Sequence, residues 1–430
     1  MKEINKKTVN IAIIGIGTVG GGTYDILMRQ AQAIQETQGF SVNVVKVMDR
    51  SADMIVKRGV PAEKAVTRIE DILADKSISI VVETIGGVEP AKTFITRVLE
   101  SGRSVVTANK ELIAKHGKEL EQIAKKVGTG LYFEASCAGG IPIIRVLQEG
   151  MQANKLLNII GIINGTTNYI LTKMAESGKS YETALREAQG LGFAEADPTA
   201  DVEGYDAAYK LSILSSLAFH TAVPYTEVYR EGITSVTSED IANAEKLGYV
   251  IKLLAIGKQE KDKIEVRVHP CFVAASHPLA SVRNEFNAVF LKGDSVDEIM
   301  LYGRGAGSYP TGSAIVSDII VAAKTTEHLY GAFTPNSASA ARAKIVSDFE
   351  SAYYLALTAE DRAGALAKIA DVFGRFGISI SQMVQKEAVS GTAPLIFLTH
   401  VTKEAAMQNA LSEIKKLKEV KSADSVIRVL

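Results

Sequence analysis

The sequence predicts an α/β fold with a parallel sheet at its N-terminal end, then an α+β region, then a small βαββαβ module. Three observations predict it. From Asn10 to Gly102, short apolar runs alternate with amphipathic stretches of helical length. The glycine-rich turn GIGTVG, with Gly15, Gly17 and Gly20, stands directly between the first apolar run and the first helical stretch. From Tyr353 onward, the order strand, helix, strand, strand, helix, strand repeats none of the preceding pattern and closes as a unit of its own.

The elements follow in order. VNIAIIGIG reads as a strand, TYDILMRQAQAIQ as a helix, FSVNVVKVMDR and ISIVVETIGG as strands, and EPAKTFITRVLESG as a helix. Pro90 suits the first turn of that helix and Gly102 the position just past its last. SVVTANK continues as strand and loop, ELIAKHGKELEQIAKKVG as helix and LYFEAS as strand, before CAGGIP turns the chain away. Residues 155–306 mix β-rich runs (LLNIIGIING, KIEVRVHPCFV, NAVFLKG, EIMLYGRGAG) with helical ones (YETALREAQG, YDAAYKLSILSSLAF, SEDIANAEKLGYVIKLLAIGK). TGSAIVSDIIVAAK has helical period and is expected to fold back onto the first domain. TPNSASAARAKIVSDFES is small and polar and reads as a linker, so the terminal module is expected to fold by itself and to be removable. The expected division is 1–134 with 307–330 folding back onto it, 135–306, a linker over 331–350 and the module over 351–430.

With 430 residues, 47% of them hydrophobic and 23% charged, the chain can bury a sizeable core. Lys and Arg total 48 against 49 Asp and Glu. That balance offers no broad basic field, so nucleic acid is not an expected partner. Cys137 and Cys271 are the only cysteines, too few for a disulfide framework or a structural zinc site, which fits a reducing, cytoplasmic setting. The opening apolar run is interrupted by glycines, unlike a secretory signal, and no apolar stretch reaches the length of a membrane span. The six histidines form no HxxxH-type pair, which argues against catalytic zinc, and His116 reads as a helix-face residue.

GIGTVG after a strand and before a helix has a physical reading as a dinucleotide-binding turn. Gly15 and Gly17 let the backbone approach a pyrophosphate, the amides after them, from Thr18 and Val19, open the helix, and Gly20 allows close helix packing. An ordinary glycine turn is the alternative. The second strand ends in Asp49 and Arg50, which pull apart: a carboxylate there bonds a ribose hydroxyl and favours NAD, whereas a guanidinium pairs with a 2′-phosphate and favours NADP. Either one can equally be a solvated surface group. GLGFAEADPTADVEGYDAAYK concentrates five carboxylates, Glu195, Asp197, Asp201, Glu203 and Asp206, ahead of Lys210, one helical turn beyond Asp206. Such a cluster suits an ammonium group, and a lysine beside a carboxylate suits proton transfer; an acidic helix start with one ion pair is the plain alternative.

The run Ala188 to Lys210, with Gly192, Glu195, Asp197, Thr199, Asp201, Gly204, Asp206 and Lys210 at their spacings, resembles the signature of homoserine dehydrogenases. VTANKELIA around Lys110, NGTTNYIL around Gly165 and Thr166, and FEASCAGGIPII around Glu134 resemble that family's segments in the family's order. The likeness covers residues 10 to about 330, and the terminal module, with EDRAGALAKIADVF, is similar to an ACT domain. The resemblance implies a Rossmann-type dinucleotide-binding domain, an α+β catalytic and dimerisation domain and a ferredoxin-like ACT domain.

It also implies interconversion of L-aspartate 4-semialdehyde and L-homoserine in threonine, methionine and isoleucine biosynthesis. Glu195 and Asp201 would bind substrate, with Gly165 and Thr166 beside it. Asp206 would support the reacting oxygen, and Lys210 or Lys110 would exchange the proton. The cofactor, NADP ahead of NAD, would be held by Gly15, Gly17, Thr18, Val19, Gly20, Asp49, Arg50, Lys110 and Gly312. Glu134 with the carbonyls of Cys137, Gly139 and Ile141 would form a structural sodium site, although a plain Gly-Pro turn explains the same residues. A homodimer or homotetramer and an amino-acid effector, threonine first, complete the expectation. Two other functions remain open: a dehydrogenase for a related semialdehyde on the same fold, and an amino-acid sensor whose dinucleotide domain has lost catalysis.

Overall fold

The computed structural model describes residues 7–328, 330–333 and 343–430. Its first sheet is built from β1 (Lys7–Ile14), β2 (Phe40–Met48), β3 (Ala65–Val66), β4 (Ile78–Glu83), β5 (Ser104–Thr107) and β6 (Leu131–Tyr132). The order is β3-β2-β1-β4-β5-β6 and every pairing is parallel. This is the doubly wound topology, whose ligand crevice lies at the carboxyl ends of β1 and β4, where the strand order reverses. Buried on both faces, the strands are apolar almost throughout, so Ile11, Ile13, Val81, Val82, Val105 and Val106 are all 1% exposed or less. The helix Ala91–Glu100 buries Ala91, Ile95, Val98 and Leu99, one face at helical spacing. Pro90 stands at its start, and Gly102, at φ +83°, lies past its end as the sequence suggests.

The expected return of the later helix is observed. Ser308–Lys324 lies along Thr18–Gln38, and its Ile315 and Ile319 join the apolar cluster of the first domain. The contact is close because a Cβ on Gly22 would stand 2.4 Å from the Ser308 carbonyl oxygen.

The second sheet starts with β7 (Leu156–Ile162), β8 (Tyr229–Arg230), β9 (Tyr249–Glu260), β10 (Lys263–Ala274), β11 (Phe286–Gly293) and β12 (Asp297–Arg304). The helices Gly165–Ser177 and Tyr205–Ala218 pack against it. The terminal strands are β13 (Lys344–Ile345), β14 (Glu350–Glu360), β15 (Ile380–Gln385), β16 (Thr392–Thr399), β17 (Thr402–Lys403) and β18 (Val420–Val429). With the helices Ala365–Arg375 and Glu404–Ile414, β14, β15, β16 and β18 form the βαββαβ module.

The module is not a detached unit. β18 pairs with β10, so one sheet runs β12-β11-β7-β9-β10-β18-β14-β16-β15 through both parts. Its helix-covered face has a core of its own, including Tyr353, Leu355 and Phe397, while Tyr354, Ile396, Leu398 and Ile427 join the core of the preceding domain. The proposed linker differs likewise from a free polar tether. Residues 334–342 lie outside the described residues, but β13 pairs with β10, and Phe349, 2% exposed, stacks on His269. Small polar composition hid a segment whose last residues are anchored by one aromatic side chain.

A chain ending at residue 349 is therefore expected to lose the integrity of the preceding domain's fold. It would uncover Phe272, which is fully buried with its ring 4.4 Å from Tyr354. Size-exclusion chromatography should show aggregation or proteolytic loss; a monodisperse fragment would contradict this expectation.

Candidate active site

At the first crevice, β1 ends at Ile14 and Gly15 takes φ +92°, a conformation that side chains oppose. The helix Thr18–Gln38 begins immediately after Gly17. A Cβ on Gly20 would stand 1.9 Å from the Gly15 carbonyl oxygen, so only glycine lets the helix sit on the turn. At Gly17 a Cβ would meet nothing within 4 Å, and Gly17 and Thr18 are exposed. Exposed backbone amides at a helix start fit a pyrophosphate.

Asp49 turns onto this loop: Oδ2 accepts from the Ile16 amide at 2.9 Å and Oδ1 from the Arg50 amide at 2.7 Å. Arg50 is exposed, and its guanidinium holds no hydrogen bond among the described residues. Gly312, expected among the cofactor residues, lies where its helix crosses the helix that follows the glycine turn. A Cβ there would lie 2.9 Å from the Thr23 amide nitrogen, so its lack of a side chain serves packing between two helices.

A second arm reaches the site from the ends of β4 and β5. Glu83, fully buried, accepts from the amides of Ile85 and Gly86 at 2.8 and 3.1 Å and from the Thr107 hydroxyl at 2.6 Å. Burial pushes its carboxyl above the usual range. The Thr107 oxygen in turn accepts from the Asn109 amide, and the Asn109 side chain caps the helix Lys110–Val127 by accepting from Leu112. Lys110 is thereby fixed as that helix's first residue.

The arms meet at Asp206, in the first turn of Tyr205–Ala218. Its Oδ2 accepts from Lys210 Nζ at 2.6 Å, and its Oδ1 lies 3.3 Å from Lys110 Nζ. Lys210 Nζ also donates to the Ile163 carbonyl at 2.9 Å. Asn164 Nδ2 donates to Asp206 Oδ2 at 2.9 Å and to Asp201 Oδ1 at 2.7 Å, joining the two aspartates. Burial alone would raise the Asp206 carboxyl, but the two ammonium charges outweigh it and hold it well below the usual carboxylate range. The Asp206 charge raises Lys110 above the ordinary lysine value against the cost of its burial. Asp201 goes the other way, pushed up by burial and then by the Asp206 charge.

Of the five clustered carboxylates, then, only Asp201 and Asp206 converge. Asp197 accepts from the Thr199 amide and hydroxyl, a local turn; Glu203 accepts from the Thr234 hydroxyl; Glu195 is exposed and its carboxylate holds no hydrogen bond among the described residues. Thr166 donates to the Phe193 carbonyl at 2.6 Å, pinning the turn that carries Glu195. Gly165 passes beneath Glu285, where a Cβ would stand 2.7 Å from its carbonyl oxygen. Sequence reasoning missed Asn164, Asn109 and Glu83. An asparagine directly ahead of a helical stretch was the available signal for the first two; nothing local marks a buried glutamate at a strand end.

The Glu134 loop is ordered by hydrogen bonds of its own. The Glu134 carboxylate caps the following helical turn, accepting from the amides of Ile144 and Arg145 at 2.7 and 2.8 Å. Ala138 and Gly139, at φ +52° and +54°, double the chain back, and the Ile141 carbonyl accepts from Ile143. An oxygen that accepts one N–H keeps a further lone pair, so Glu134 and the carbonyls of Cys137, Gly139 and Ile141 are oxygens of the kind a hard cation takes. Among the described residues no three His, Cys, Asp or Glu side chains group as metal ligands, and no helix is long and apolar enough to cross a membrane.

Residues 142–320 match the family described as homoserine dehydrogenase, residues 15–134 its NAD binding domain and residues 353–419 the ACT domain. A curated homoserine dehydrogenase of Bacillus subtilis is 39% identical over 429 residues, covering 98% of each chain. The crystal structure of a homoserine dehydrogenase from Thiobacillus denitrificans is 41% identical, covers 99% of both chains and superposes with a TM-score of 0.92. A hyperthermophilic archaeal homoserine dehydrogenase solved with NADPH is 30% identical, covers 74% of this chain and 98% of its own, and gives a TM-score of 0.64.

Proposed function

The chain belongs to the homoserine dehydrogenase family of oxidoreductases, and on that premise we propose that it interconverts L-aspartate 4-semialdehyde and L-homoserine, with Lys210 as the proton donor and acceptor. The observation that carries this reading is the Asp206 carboxylate held between Lys210 and Lys110. When bound, the nicotinamide dinucleotide supplies or takes up the hydride. A hydride reaching the aldehyde carbon leaves negative charge on oxygen, and an ammonium at that oxygen stabilises and then protonates it. Asp206 orients Lys210 for the task. Lys110, its side chain 44% exposed and standing on the dinucleotide domain, flanks the reacting group from the other side. Asp201 receives the substrate's ammonium, with Glu195 on the turn above it. The backbone at Gly165 and the Thr166 hydroxyl shape the floor of the cleft.

The same reading takes NADP(H) as the preferred cofactor. Asp49 is supported in a loop-organising role, its two oxygens engaged by backbone amides, which leaves Arg50 to face a 2′-phosphate. Hydrogen bonds to charged groups contribute about 1.5 to 3 kcal/mol, so Arg50→Ala should lower kcat/KM for NADP by about ten- to a hundredfold and for NAD far less. Steady-state oxidation of L-homoserine with each cofactor tests activity and preference together. Absent turnover would overturn the substrate; equal losses for both cofactors would overturn the Arg50 assignment.

Feedback through the ACT module by an amino acid, threonine first, and assembly as a homodimer or homotetramer rest on family membership. So do the biosynthetic route to threonine, methionine and isoleucine and a sodium ion at Glu134 and the carbonyls of Cys137, Gly139 and Ile141. The sensor alternative loses ground because both lysines converge on one carboxylate.

A further inference from the structure

Arg428, in β18, is 1% exposed and the largest fully buried side chain among the described residues. Its guanidinium donates to both oxygens of Glu404 in the module, at 3.0 and 2.6 Å. It also donates to Glu231 Oε2 at 2.5 Å and the Tyr229 hydroxyl at 2.8 Å, both in the catalytic unit. Tyr229 donates to the other Glu231 oxygen, closing the network. A buried arginine whose nitrogens all find acceptors holds its geometry tightly, because losing one acceptor leaves a buried donor unsatisfied while the other carboxylate still balances its charge.

The segment that carries Tyr229 and Glu231 is extended along β10: Tyr229 pairs with Arg267, Arg230 with Val268, and the Glu231 amide donates to the Val268 carbonyl at 2.8 Å. Successive side chains on extended backbone point to opposite sides. Tyr229 and Glu231 accordingly face Arg428, whereas Arg230 faces away, donates to the Glu203 carbonyl and lies 3.5 Å over the Tyr205 ring. The next residues press on the same loop. A Cβ on Gly232 would stand 2.3 Å from the Val202 carbonyl oxygen, and the Ile233 amide donates to that oxygen at 2.8 Å. Thr234 donates to Glu203 Oε1 at 3.1 Å. Val202 and Glu203 lie between Asp201 and Asp206, and Gly204, at φ +78°, turns the chain into the helix bearing Asp206 and Lys210. One five-residue segment thus touches the module's buried arginine with one side and the acidic loop with the other.

We infer that Arg428 is a positioning residue for the loop 198–206, acting through Glu231 and the segment 229–233, so that the terminal module sets where Asp201 stands. The inference rests on the proposed substrate role of Asp201. Glu231→Gln and Glu404→Gln, each in the full chain, remove one charge from Arg428, but only Glu231 belongs to the segment touching the loop. Glu231→Gln should raise the KM for homoserine about three- to tenfold and leave the KM for the dinucleotide unchanged. Glu404→Gln, which leaves the Arg428 contacts to Glu231 and Tyr229 in place, should lower the melting temperature at least as much yet leave the homoserine KM unchanged, whereas Arg428→Lys, which cannot hold Glu231 and Tyr229 together, should raise the homoserine KM as Glu231→Gln does. Hydrogen exchange at the amides of residues 201–206 gives a readout independent of turnover: faster in Glu231→Gln, unchanged in Glu404→Gln. Equal changes in the two glutamine variants, or unaltered exchange in either Glu231→Gln or Arg428→Lys, would overturn the inference. Faster exchange in an enzyme that does not turn over homoserine would uphold the positioning and overturn the substrate reading alone.

Discussion

Lys210→Ala is expected to lower kcat for homoserine oxidation by about 10² to 10⁴, the range that general acid–base groups contribute. Dinucleotide affinity should stay nearly intact, because Lys210 belongs to the helix Tyr205–Ala218 and not to the glycine turn or the strand ends of the first sheet. Its Nζ makes two hydrogen bonds in the protein, to Asp206 and to the Ile163 carbonyl, which leaves one N–H of an ammonium for the substrate oxygen. Steady-state rates together with fluorescence titration of NADPH check both halves. Turnover close to that of the unaltered enzyme would transfer the role to Lys110.

Asp206→Asn should harm stability and turnover together. The neutral amide leaves Lys210, its side chain 11% exposed, without a counter-charge, and removing one partner of a buried pair costs about 3 to 5 kcal/mol. The lower end applies, since Lys110 is partly hydrated. In turnover the loss should again be about 10²-fold or more, because the proton-transfer group loses the contact that orients it. The pH dependence has a definite sign. A carboxyl held below its unfolded value of about 3.9 stabilises the fold fully above that value and loses the contribution as pH falls through the folded one. The stability gap between the two proteins should therefore be constant near neutrality and shrink only below about pH 4. Urea unfolding across that range measures it, and a gap that closes near pH 7 would count against a charged Asp206.

Much of this arrangement could be read beforehand because it is written in local pattern. Gly15, at φ +92°, and Gly20, where a Cβ would stand 1.9 Å from the Gly15 carbonyl oxygen, have reasons carried by the residue itself, and the spacing of Asp206 and Lys210 puts them on one helix face wherever the helix goes. What stayed hidden depends on distant partners. No local feature distinguishes Asp201, which meets Asn164, from Asp197, which folds back on Thr199, or marks Gly312 as the point where two helices 290 residues apart press together. Arg428 reads as one basic residue in an alternating strand; its burial follows from the pairing of β18 with β10, which no periodicity announces.

The helix Ser308–Lys324 also bears on how the chain acquires its structure. Its Ser308 hydroxyl bonds the Thr18 carbonyl across 290 residues, so the first sheet lacks one of its covering helices until most of the chain has been made. At about 5 to 20 residues per second, ribosomal synthesis leaves the face formed by Tyr24, Ile26 and Leu27 waiting for roughly 15 to 60 seconds. High sequence separation slows such closure further and lengthens the interval in which a nascent chain can be captured by chaperones or by its neighbours. The dinucleotide domain is first to be translated and among the last to be finished, and any folding scheme that completes domains in chain order fails at this helix.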